Sequence, residues 1–573
     1  MATDIIFLHA PSVYDFRKRP IFYGPISDVI PSSPVFEMYP IGFMTISAHL
    51  EEAGFRTRIV NLAVRMLDSK GFNAERMIKK LDAKVFAIDL HWMPHAHGAL
   101  EVAKLVKKYH PDSVVELGGF TSSYFHEELI RRDEVDMVMR GDSTEIPHIK
   151  LMETLSKGGD LSDVPNLTWK DRDGRIRMND ISFVPEDLDW LRFDYGTMIR
   201  NALRHRDIKS TLPWLGWDRT PLASVFSVRG CSCGCAECGG SNFANKKVLC
   251  RSRPSFRSPE KLAEDMSAIQ DYMKAPIFVV GDLRQGGKDY PERFFKEAKR
   301  LGVKNHVVLE LFRPAGEEFY KMADTLDEYT MEFSPDSYEE NVRNALMRNY
   351  DNASIDRTIK KAFENGCKRF DLFFMTGLPE QTNESVMNGI RAAGRIWDSL
   401  DRNNGLFIYN APFAPFVDPG SRAFEDPERY GYRFFARTLE EHRVLLDNPS
   451  WKHVLSYETR RMTRDDIAET SYDAAAELAK MEYERGRISK DAYETRIERT
   501  ANAKDVLRRI DDILLIKDAR EREDSLWSIK EEGERLMAST ICNKNDLDWR
   551  TGSIWSSAPR MVTGLMRSMF RKR

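Results

Sequence analysis

The chain has 573 residues, more than one hydrophobic core usually organises, so we expect two to four domains. Its 86 Lys and Arg against 89 Asp and Glu leave a net charge of −3, which gives no overall attraction to nucleic acid or anionic membrane. No apolar run reaches the roughly 20 residues that cross a bilayer. The first residues lack the basic segment of a signal peptide, and seven sparse cysteines argue against a secreted disulfide-linked protein. We expect a cytoplasmic protein in an anaerobic or reducing environment, with neither membrane nor nucleic acid as partner.

Residues 1–157 predict an α/β domain with a parallel, Rossmann- or flavodoxin-like sheet. A helix is expected from about Ile41 to Ala53, stopping at Gly54. Short apolar runs predict five strands, at 4–9, 57–62, 85–90, 114–117 and 137–139. Strands that alternate with helices form a doubly wound sheet, and such sheets bind ligands beyond the carboxyl ends of their strands. The loops after strands one, three, four and five are therefore the candidate ligand loops.

The middle of the chain predicts a connector over 158–217 and a second α/β domain over 218–425. In the connector, residues 166–169 and 175–178 flank an Asp-Arg-Asp-Gly turn, which predicts a β-hairpin. The second domain has six predicted strands separated by helical segments, at 223–228, 277–280, 307–311, 329–333, 369–374 and 406–409. Six βα units predict a parallel sheet with its chemistry at the carboxyl ends of the strands.

The last third predicts a helical domain over 426–573, after a rigid Pro-rich linker at 412–421. Heptad-like spacing within 468–520, with Ala474, Leu478 and Met481 as the apolar positions, indicates a solvated helical hairpin. The tail from Arg560 is basic with interleaved apolar residues. It docks either on the body of the protein or on a partner.

Four cysteines fall within eight residues of one Gly-flanked loop, and three of them, Cys231, Cys235 and Cys238, have the spacing Cys-x3-Cys-x2-Cys. Thiolates spaced in this way can hold three irons of a [4Fe–4S] cluster and leave the fourth iron open. Zinc or oxidised pairs are the alternatives, but a closed zinc site usually needs four ligands. Cys233 as the fourth ligand would crowd a tetrahedral site, and Cys250, Cys367 and Cys542 are isolated, so we interpret Cys233 as a bystander.

This motif lies after the first of six βα units and resembles that of the radical S-adenosylmethionine (SAM) enzymes. The resemblance implies that the six units form a (βα)6 partial TIM barrel. In that family the open iron binds the amino and carboxylate groups of SAM, and the cluster cleaves SAM to a 5'-deoxyadenosyl radical. The resemblance implies SAM contacts at the strand ends and on one helix, namely Gly281, Asp282, Glu332, Ser334, Arg343 and Leu378. For Glu332 and Arg343 a structural ion pair or a solvated face is the alternative. Glu237 departs from the family, which usually has an aromatic residue before the last cysteine to pack near adenine, and Phe243 is a candidate substitute.

The first domain, placed before this motif, resembles the cobalamin-binding domain of the B12-dependent radical SAM family. The matching segments are Tyr39–Gly42, Glu116–Thr121 and Arg140–Glu145. The resemblance implies cobalamin contacts in these loops, at Gly118, Gly119, Thr121, Gly141 and Glu145. The Asp-x-His-x-x-Gly motif of base-off relatives is missing after strand one, but the loop after strand three contains His91, Trp92 and His95. These three residues either coordinate or shield the lower face of cobalt, or they cap and pack the following helix.

The resemblance implies a cobalamin-dependent radical SAM C-methyltransferase that moves a methyl from SAM, via methylcobalamin, to an unactivated sp3 carbon. Its cofactors would be a [4Fe–4S] cluster, SAM and cobalamin, and its electron donor a ferredoxin or flavodoxin. The substrate is a protein, peptide or small molecule. The mixed-charge helical region favours a protein or peptide, such as the glutamine that is C-methylated in methyl-coenzyme M reductase. The alternatives are a cyclase or rearrangement enzyme without methyl transfer, or a non-catalytic corrinoid or redox sensor. No side chain is assigned a catalytic role.

Overall fold

A computed structural model describes residues 3–22, 40–400, 405–536, 553–557 and 559–563. Tyr39, Cys542 and residues 564–573 of the basic tail, which the sequence analysis singled out, lie outside these ranges. The α/β fold class is confirmed: two parallel sheets are followed by a helical region.

The first sheet has seven strands in the order β2-β1-β3-β4-β5-β6-β7. The five predicted strands form and pair in parallel. Their bounds are β1 Thr3–His9, β2 Thr57–Asn61, β3 Ala83–Asp89, β4 Val114–Gly118 and β5 Met137–Met139. β1 and β3 are continuous apolar runs because helices cover both faces of the sheet. These helices are α1 Gly42–Glu52, α2 Leu62–Asp68, α3 Ala74–Lys80, α4 Ala96–Tyr109, α5 Phe120–Tyr124, α6 His126–Leu129 and α7 Glu145–Lys157.

The predicted hairpin also forms, as β6 Leu167–Lys170 and β7 Ile176–Met178. The side chain of Asp171 accepts the backbone N–H groups of Asp173 and Arg175, which closes the turn. β6 pairs antiparallel with β5, so the hairpin extends the first sheet at its edge. Helix α8, Gly196–His205, follows it.

The second sheet is the predicted partial barrel, with six parallel strands in the order β15-β14-β13-β12-β11-β8. Its strands are β8 Ala223–Phe226, β11 Ile277–Val280, β12 Val307–Leu311, β13 Tyr329–Asp336, β14 Arg369–Thr376 and β15 Leu406–Pro412. A short antiparallel pair, β9 Val228–Arg229 with β10 Ser255–Phe256, brackets the cysteine loop. The helices are α9 Asn242–Leu249, α10 Pro259–Gln270, α11 Tyr290–Arg300, α12 Glu317–Ala323, α13 Glu340–Ala345, α14 Asn352–Glu364 and α15 Asn383–Asp398.

The C-terminal region is mostly helical, as predicted, but it also contains a small antiparallel sheet that the sequence analysis missed. Its strands are β16 Tyr432–Phe434 and β17 Tyr457–Thr459. The helices are α16 Arg422–Glu425, α17 Leu439–Leu445, α18 Trp451–Val454, α19 Arg464–Glu484, α20 Lys490–Leu514 and α21 Ala519–Leu536. α19 and α20 form the predicted helical hairpin, and the apolar side of α19 packs on α15 and on the last barrel strand. None of the helices in the described ranges is both long enough and apolar enough to span a membrane.

The hydrophobic core continues from one region to the next. One buried cluster joins Phe7 of the first sheet to the barrel strands and to Leu478 of α19. A second cluster joins the other face of the first sheet to Val417 and to Tyr472. The Pro-rich segment predicted as a rigid linker is therefore packed, since Phe416 and Val417 are buried against the first sheet.

Candidate active site

The cysteine loop runs from β9 to α9 and is fixed by backbone contacts. Cys231, Cys235 and Cys238 are partly exposed, whereas Cys233 is buried. The carbonyl of Cys233 accepts the N–H of Asn242 at 2.8 Å, which starts α9. The structure thus separates the three predicted cluster ligands from the predicted bystander.

The distances between the thiols bear on whether the loop holds a cluster or a single zinc ion. Tetrahedral zinc with Zn–S bonds of about 2.3 Å brings its sulfur ligands to about 3.8 Å from one another. Among the described residues, the only Cys, His, Asp or Glu ligand atoms that meet in a group of three within 4.8 Å belong to Asp89, His91 and His95. No three of the loop thiols lie within 4.8 Å of one another, which is compatible with a cluster in which each thiolate binds its own iron.

Burial sets the protonation of these thiols when no metal is bound. It raises the pKa of Cys235 to about 11, and burial also raises the pKa of Cys238. A cationic cluster would offset this cost because metal binding deprotonates its thiol ligands. The donor set therefore fits a [4Fe–4S] cluster.

Gln285 is a site residue that the sequence analysis missed. It lies on a 3-10 turn, Leu283–Gly286, and its Oε1 accepts from the Cys231 thiol at 3.3 Å and from the N–H and hydroxyl of Ser232, each at 2.8 Å. The turn itself is capped by Asp282, whose carboxylate also binds Arg284 and the N–H of Phe312. Asp282 was predicted to contact SAM, but its carboxylate is 3% exposed and holds the turn in place.

The barrel lumen contains the predicted residues Gly281 and Glu332. Gly281 donates its N–H to Glu310 at 2.6 Å and has a φ of 99°, and a Cβ there would lie 2.5 Å from Val228. Glu310, Glu332 and Asp371 are register neighbours on three adjacent strands. Burial, with the negative charges of Asp371 and Glu310, raises the pKa of Glu332 well above its usual value. Glu332 is thus held among like charges rather than in a simple ion pair.

Arg343 corrects the sequence analysis. It was predicted to reach the SAM carboxylate, but it is fully buried and donates to the carbonyls of Ser337 and Tyr350 and to Asn352. These bonds occupy its guanidinium in the loop that follows α13. The predicted residue Leu378 is likewise fully buried, in a small core with Val342.

Arg348 also lies beside the cysteine loop. Its guanidinium donates to the carbonyl of the predicted residue Ser334 at 2.9 Å and pairs with Asp336 at 2.7 Å. Glu237, the departure from the family pattern, is 2% exposed and lies 3.5 Å from Arg348. Burial raises the pKa of Glu237 to about 7. Phe243, the candidate substitute, stacks under Arg422 at 4.5 Å.

A cavity of about 180 Å³ opens at the carboxyl edge of the first sheet. Its lining includes four residues predicted to bind cobalamin, namely His91, Gly118, Gly119 and Gly141. Gly119 has a φ of 110°, and a Cβ on it would lie 2.4 Å from the Cα of His91. The cavity has room for a small flat ring system such as a benzimidazole but not for a corrin macrocycle, which would have to lie at its mouth.

Asp89 gathers the histidines of two loops at this edge. Its carboxylate pairs with His9 Nδ1 at 2.9 Å and with His91 Nδ1 at 2.7 Å. Burial alone would raise the pKa of Asp89, but His9 and His91 outweigh it and hold this pKa well below its ordinary value. His95 stacks on His91 at 5.2 Å between ring centroids. His9 and Asp89 were missed as site residues, although both stand at strand ends.

The remaining predicted cobalamin residues lie outside the cavity lining. Trp92 packs edge-to-face on Phe416 at 5.9 Å, and Thr121 is buried. The carboxylate of Glu145 pairs with both terminal nitrogens of Arg229, at 2.6 and 3.0 Å, and accepts from Thr45 at 2.7 Å.

Two arginines connect the loop after β5 to the barrel. Arg229 stands two residues before Cys231 and binds Glu145, while Arg251 follows α9 and binds Asp142 at 2.6 and 2.8 Å. Both guanidinium groups are largely buried. This clamp places the cysteine loop against the loops that line the cavity.

Family models match both halves of this arrangement. The B12 binding domain matches residues 28–149, and the Radical SAM superfamily matches residues 225–393. The chain therefore combines a B12 binding domain with a radical SAM domain, which is the combination that the sequence analysis expected. Both domain matches agree with the predicted cofactors, cobalamin, SAM and a [4Fe–4S] cluster.

Individual relatives of this radical SAM protein are distant. Cytidylyl-2-hydroxyethylphosphonate methyltransferase of Streptomyces wedmorensis is 20% identical over 304 residues, which are 46% of this chain and 55% of that protein. The chain thus spans about half the length of this curated relative.

Two solved structures share the fold. The radical SAM methyltransferase TsrM of Kitasatospora setae, with cobalamin and a [4Fe–4S] cluster bound, has a TM-score of 0.59 and 14% identity over 94% of this chain and 99% of its own. The cobalamin-dependent SAM radical enzyme OxsB, with aqua-cobalamin bound, has a TM-score of 0.53 and 10% identity over 100% of this chain and 81% of its own.

Proposed function

We propose that this chain is a C-methyltransferase that moves a methyl group from SAM, by way of cobalamin, to an unactivated sp3 carbon. The observation that supports it best is the clamp between Arg229 and Glu145, which joins the cysteine loop to the cavity of the first sheet. Two cofactor sites that act on one substrate carbon must open to a common space. The methyltransferase relatives give independent support for this reaction class.

The chain's own residues would hold the cofactors as follows. Cys231, Cys235 and Cys238 bind the cluster, and Gln285 keeps their loop in place. Arg348 replaces Arg343 as the candidate for the SAM carboxylate, since its guanidinium lies beside the loop and its side chain is 16% exposed, whereas that of Arg343 is fully buried. Backbone N–H and C=O groups near Gly281 and the side chains of Glu332 and Ser334 remain the other candidates for SAM.

The barrel lumen would orient the substrate and exclude water. Phe373 and Tyr409 stack at 5.0 Å, Phe407 lies parallel to Tyr409, and Arg369 lies over Phe407 at 4.6 Å. When bound, the cluster and SAM supply hydrogen abstraction and cobalamin carries the methyl group. Aryl C–H bonds are hard to break, so Phe373 and Phe407 offer few competing hydrogen atoms to a reactive carbon. The phenol of Tyr409 has a weaker O–H bond, and its oxygen accepts from Arg369 at 3.1 Å.

The test is anaerobic reconstitution of the full chain with iron, sulfide and cobalamin, followed by SAM and a strong reductant. We expect SAM cleavage to deoxyadenosine, which is lost in Cys235→Ala and retained in Cys233→Ala, the matched control inside the same loop. Cobalamin binding without SAM cleavage would contradict the proposal and favour a corrinoid sensor. Protein that holds zinc, and retains neither an iron–sulfur cluster nor cobalamin, would contradict the cluster assignment itself.

The substrate proposed here is a protein or peptide, and methyl-coenzyme M reductase is the specific candidate. The support is the mixed-charge helical region, which adds α19 beside the barrel and α20 and α21 toward the first sheet. Incubation of the reconstituted enzyme with a peptide around the methylated glutamine should add one methyl group by mass spectrometry. Loss of hydrogen or an isomeric product would instead indicate a cyclase or a rearrangement. A ferredoxin or flavodoxin is the proposed electron donor.

A further inference from the structure

The strongest unassigned feature of the first domain is the set of ligand atoms around Asp89. One of its carboxylate oxygens and one ring nitrogen each of His91 and His95 lie within 4.8 Å of one another. The group stands at the carboxyl ends of β1 and β3, where a doubly wound sheet binds its ligand. The side chains of Asp89, His91 and His95 differ in exposure, and this difference indicates which of them can contact a group in the cavity.

His91 is the member that faces the cavity. Its side chain is 26% exposed and forms part of the cavity lining, whereas His95 is 1% exposed and lies behind it. Trp92, the third residue predicted for this role, packs on Phe416 outside the lining. Of the three, His91 therefore has direct access to a group in or over the cavity.

Asp89 fixes the orientation of the His91 ring. The 2.7 Å contact to Nδ1 makes that nitrogen the donor to an acidic carboxylate, so the lone pair resides on Nε2. Metal-binding histidines commonly donate their other ring N–H to a carboxylate, which sets the tautomer and strengthens the ligand. The second Asp89 oxygen is bound by His9, so the carboxylate cannot rotate freely.

The backbone around His91 is also held. Leu90 donates its N–H to the carbonyl of Gly118 at 2.8 Å and accepts from the N–H of Ser122 at 3.1 Å. Gly119 touches the Cα of His91 so closely that no side chain fits between them. A ligand needs such a rigid support to keep a metal within bonding distance.

We propose that Nε2 of His91 is the lower axial ligand of the cobalt, with Asp89 and His9 as positioning residues. The inference rests on the proposed function, because it requires cobalamin at this edge of the sheet. It also implies that the benzimidazole of cobalamin is displaced from the metal, and the small cavity beside His91 is a suitable place for it.

The test is electron paramagnetic resonance of the reconstituted full chain with cobalamin in its Co(II) state and the cluster in its oxidised, silent state. One axial nitrogen-14 splits each high-field cobalt line into three. Protein grown on nitrogen-15 histidine should show two lines instead, because cobalamin itself stays unlabelled. This readout needs no substitution, so it does not depend on the folding of a variant.

Variants then identify the histidine. We expect His91→Ala to lose the nitrogen splitting and added imidazole to restore it, while His95→Ala keeps the splitting. Three lines unchanged by the label would place benzimidazole on cobalt and overturn the inference, as would a spectrum without nitrogen splitting or loss of splitting in His95→Ala alone. Failure to retain cobalamin would overturn the proposed function as well, so the two failures are distinguishable.

Discussion

Gly119 shows how a single missing side chain shapes the candidate cobalamin site. Its φ of 110° is a left-handed conformation that other residues rarely adopt, and its Cα hydrogen points at the backbone of His91. We expect Gly119→Ala to lower the free energy of unfolding by about 1–3 kcal/mol, since strain and a 2.4 Å contact add. Cobalamin retention should fall with it. Urea denaturation and cobalt content of the purified protein measure the two effects.

Gly71→Ala is the matched control for that substitution. Gly71 lies in the exposed turn after α2, its φ is outside the left-handed region, and a Cβ there meets no atom within 4 Å. We expect its effect on unfolding to stay below about 0.5 kcal/mol, with cobalamin content unchanged. Equal urea midpoints for the two variants would show that the close approach of Gly119 to His91 does not affect the free energy of unfolding.

At the scale of single residues, the sequence predicted the ligands whose spacing along one loop matches a metal cluster. The positions of Cys231, Cys235 and Cys238 follow from ligand spacing on one loop, which is a local property. Gln285 could not be found in this way, because it meets Ser232 across 53 residues through the pairing of β8 with β11. Arg343 was misassigned because its helix position does not reveal that neighbouring loop carbonyls enclose it.

At the scale of elements, the proposed active site depends on the clamp between the loop after β5 and the barrel. Glu145 is 1% exposed and Arg229 is 9% exposed, so each ion is compensated almost entirely by the other. Removing one partner of a buried pair typically costs about 3–5 kcal/mol. We expect Glu145→Gln to lower the free energy of unfolding by about that amount and to reduce SAM cleavage, because Arg229 leads directly into the cysteine loop.

An exposed pair in the same barrel provides the control for this prediction. Arg293 and Glu260 have side chains 57% and 42% exposed and form a 2.7 Å contact between α10 and α11. Glu260→Gln should change the free energy of unfolding by less than about 1 kcal/mol, since surface pairs contribute little. Urea titrations measure the free energy of unfolding of both variants. Similar decreases for Glu145→Gln and Glu260→Gln would contradict the argument that burial makes the clamp important for stability.

The elements themselves were predictable because hydrophobic period and turn residues are local signals. All eleven predicted parallel strands form, with ends shifted by a few residues. The pairing of the hairpin β6 and β7 with the first sheet was not predictable, since an edge strand finds its partner through tertiary contact. The same reason explains the missed pair β16 and β17, which are only three residues each.

At the scale of the whole molecule, the two buried clusters tie the sheet, the barrel and the helical region together. One face of the first sheet shares its core with the barrel and the other with the C-terminal region. Neither face of the sheet is left for water, so separation of the regions would expose apolar surface at both. The first sheet, the barrel and the helical region should therefore unfold together rather than one at a time.

This continuity predicts a single cooperative unfolding transition for the chain. Cobalamin at about 100 times its dissociation constant should stabilise the folded state by about 2.7 kcal/mol, since it binds only the native form. We expect the whole urea curve, followed by circular dichroism, to move to higher urea when cobalamin is added. Two transitions, of which cobalamin shifts one, would mean that the first sheet unfolds independently of the barrel and that the shared core contributes little to cooperativity.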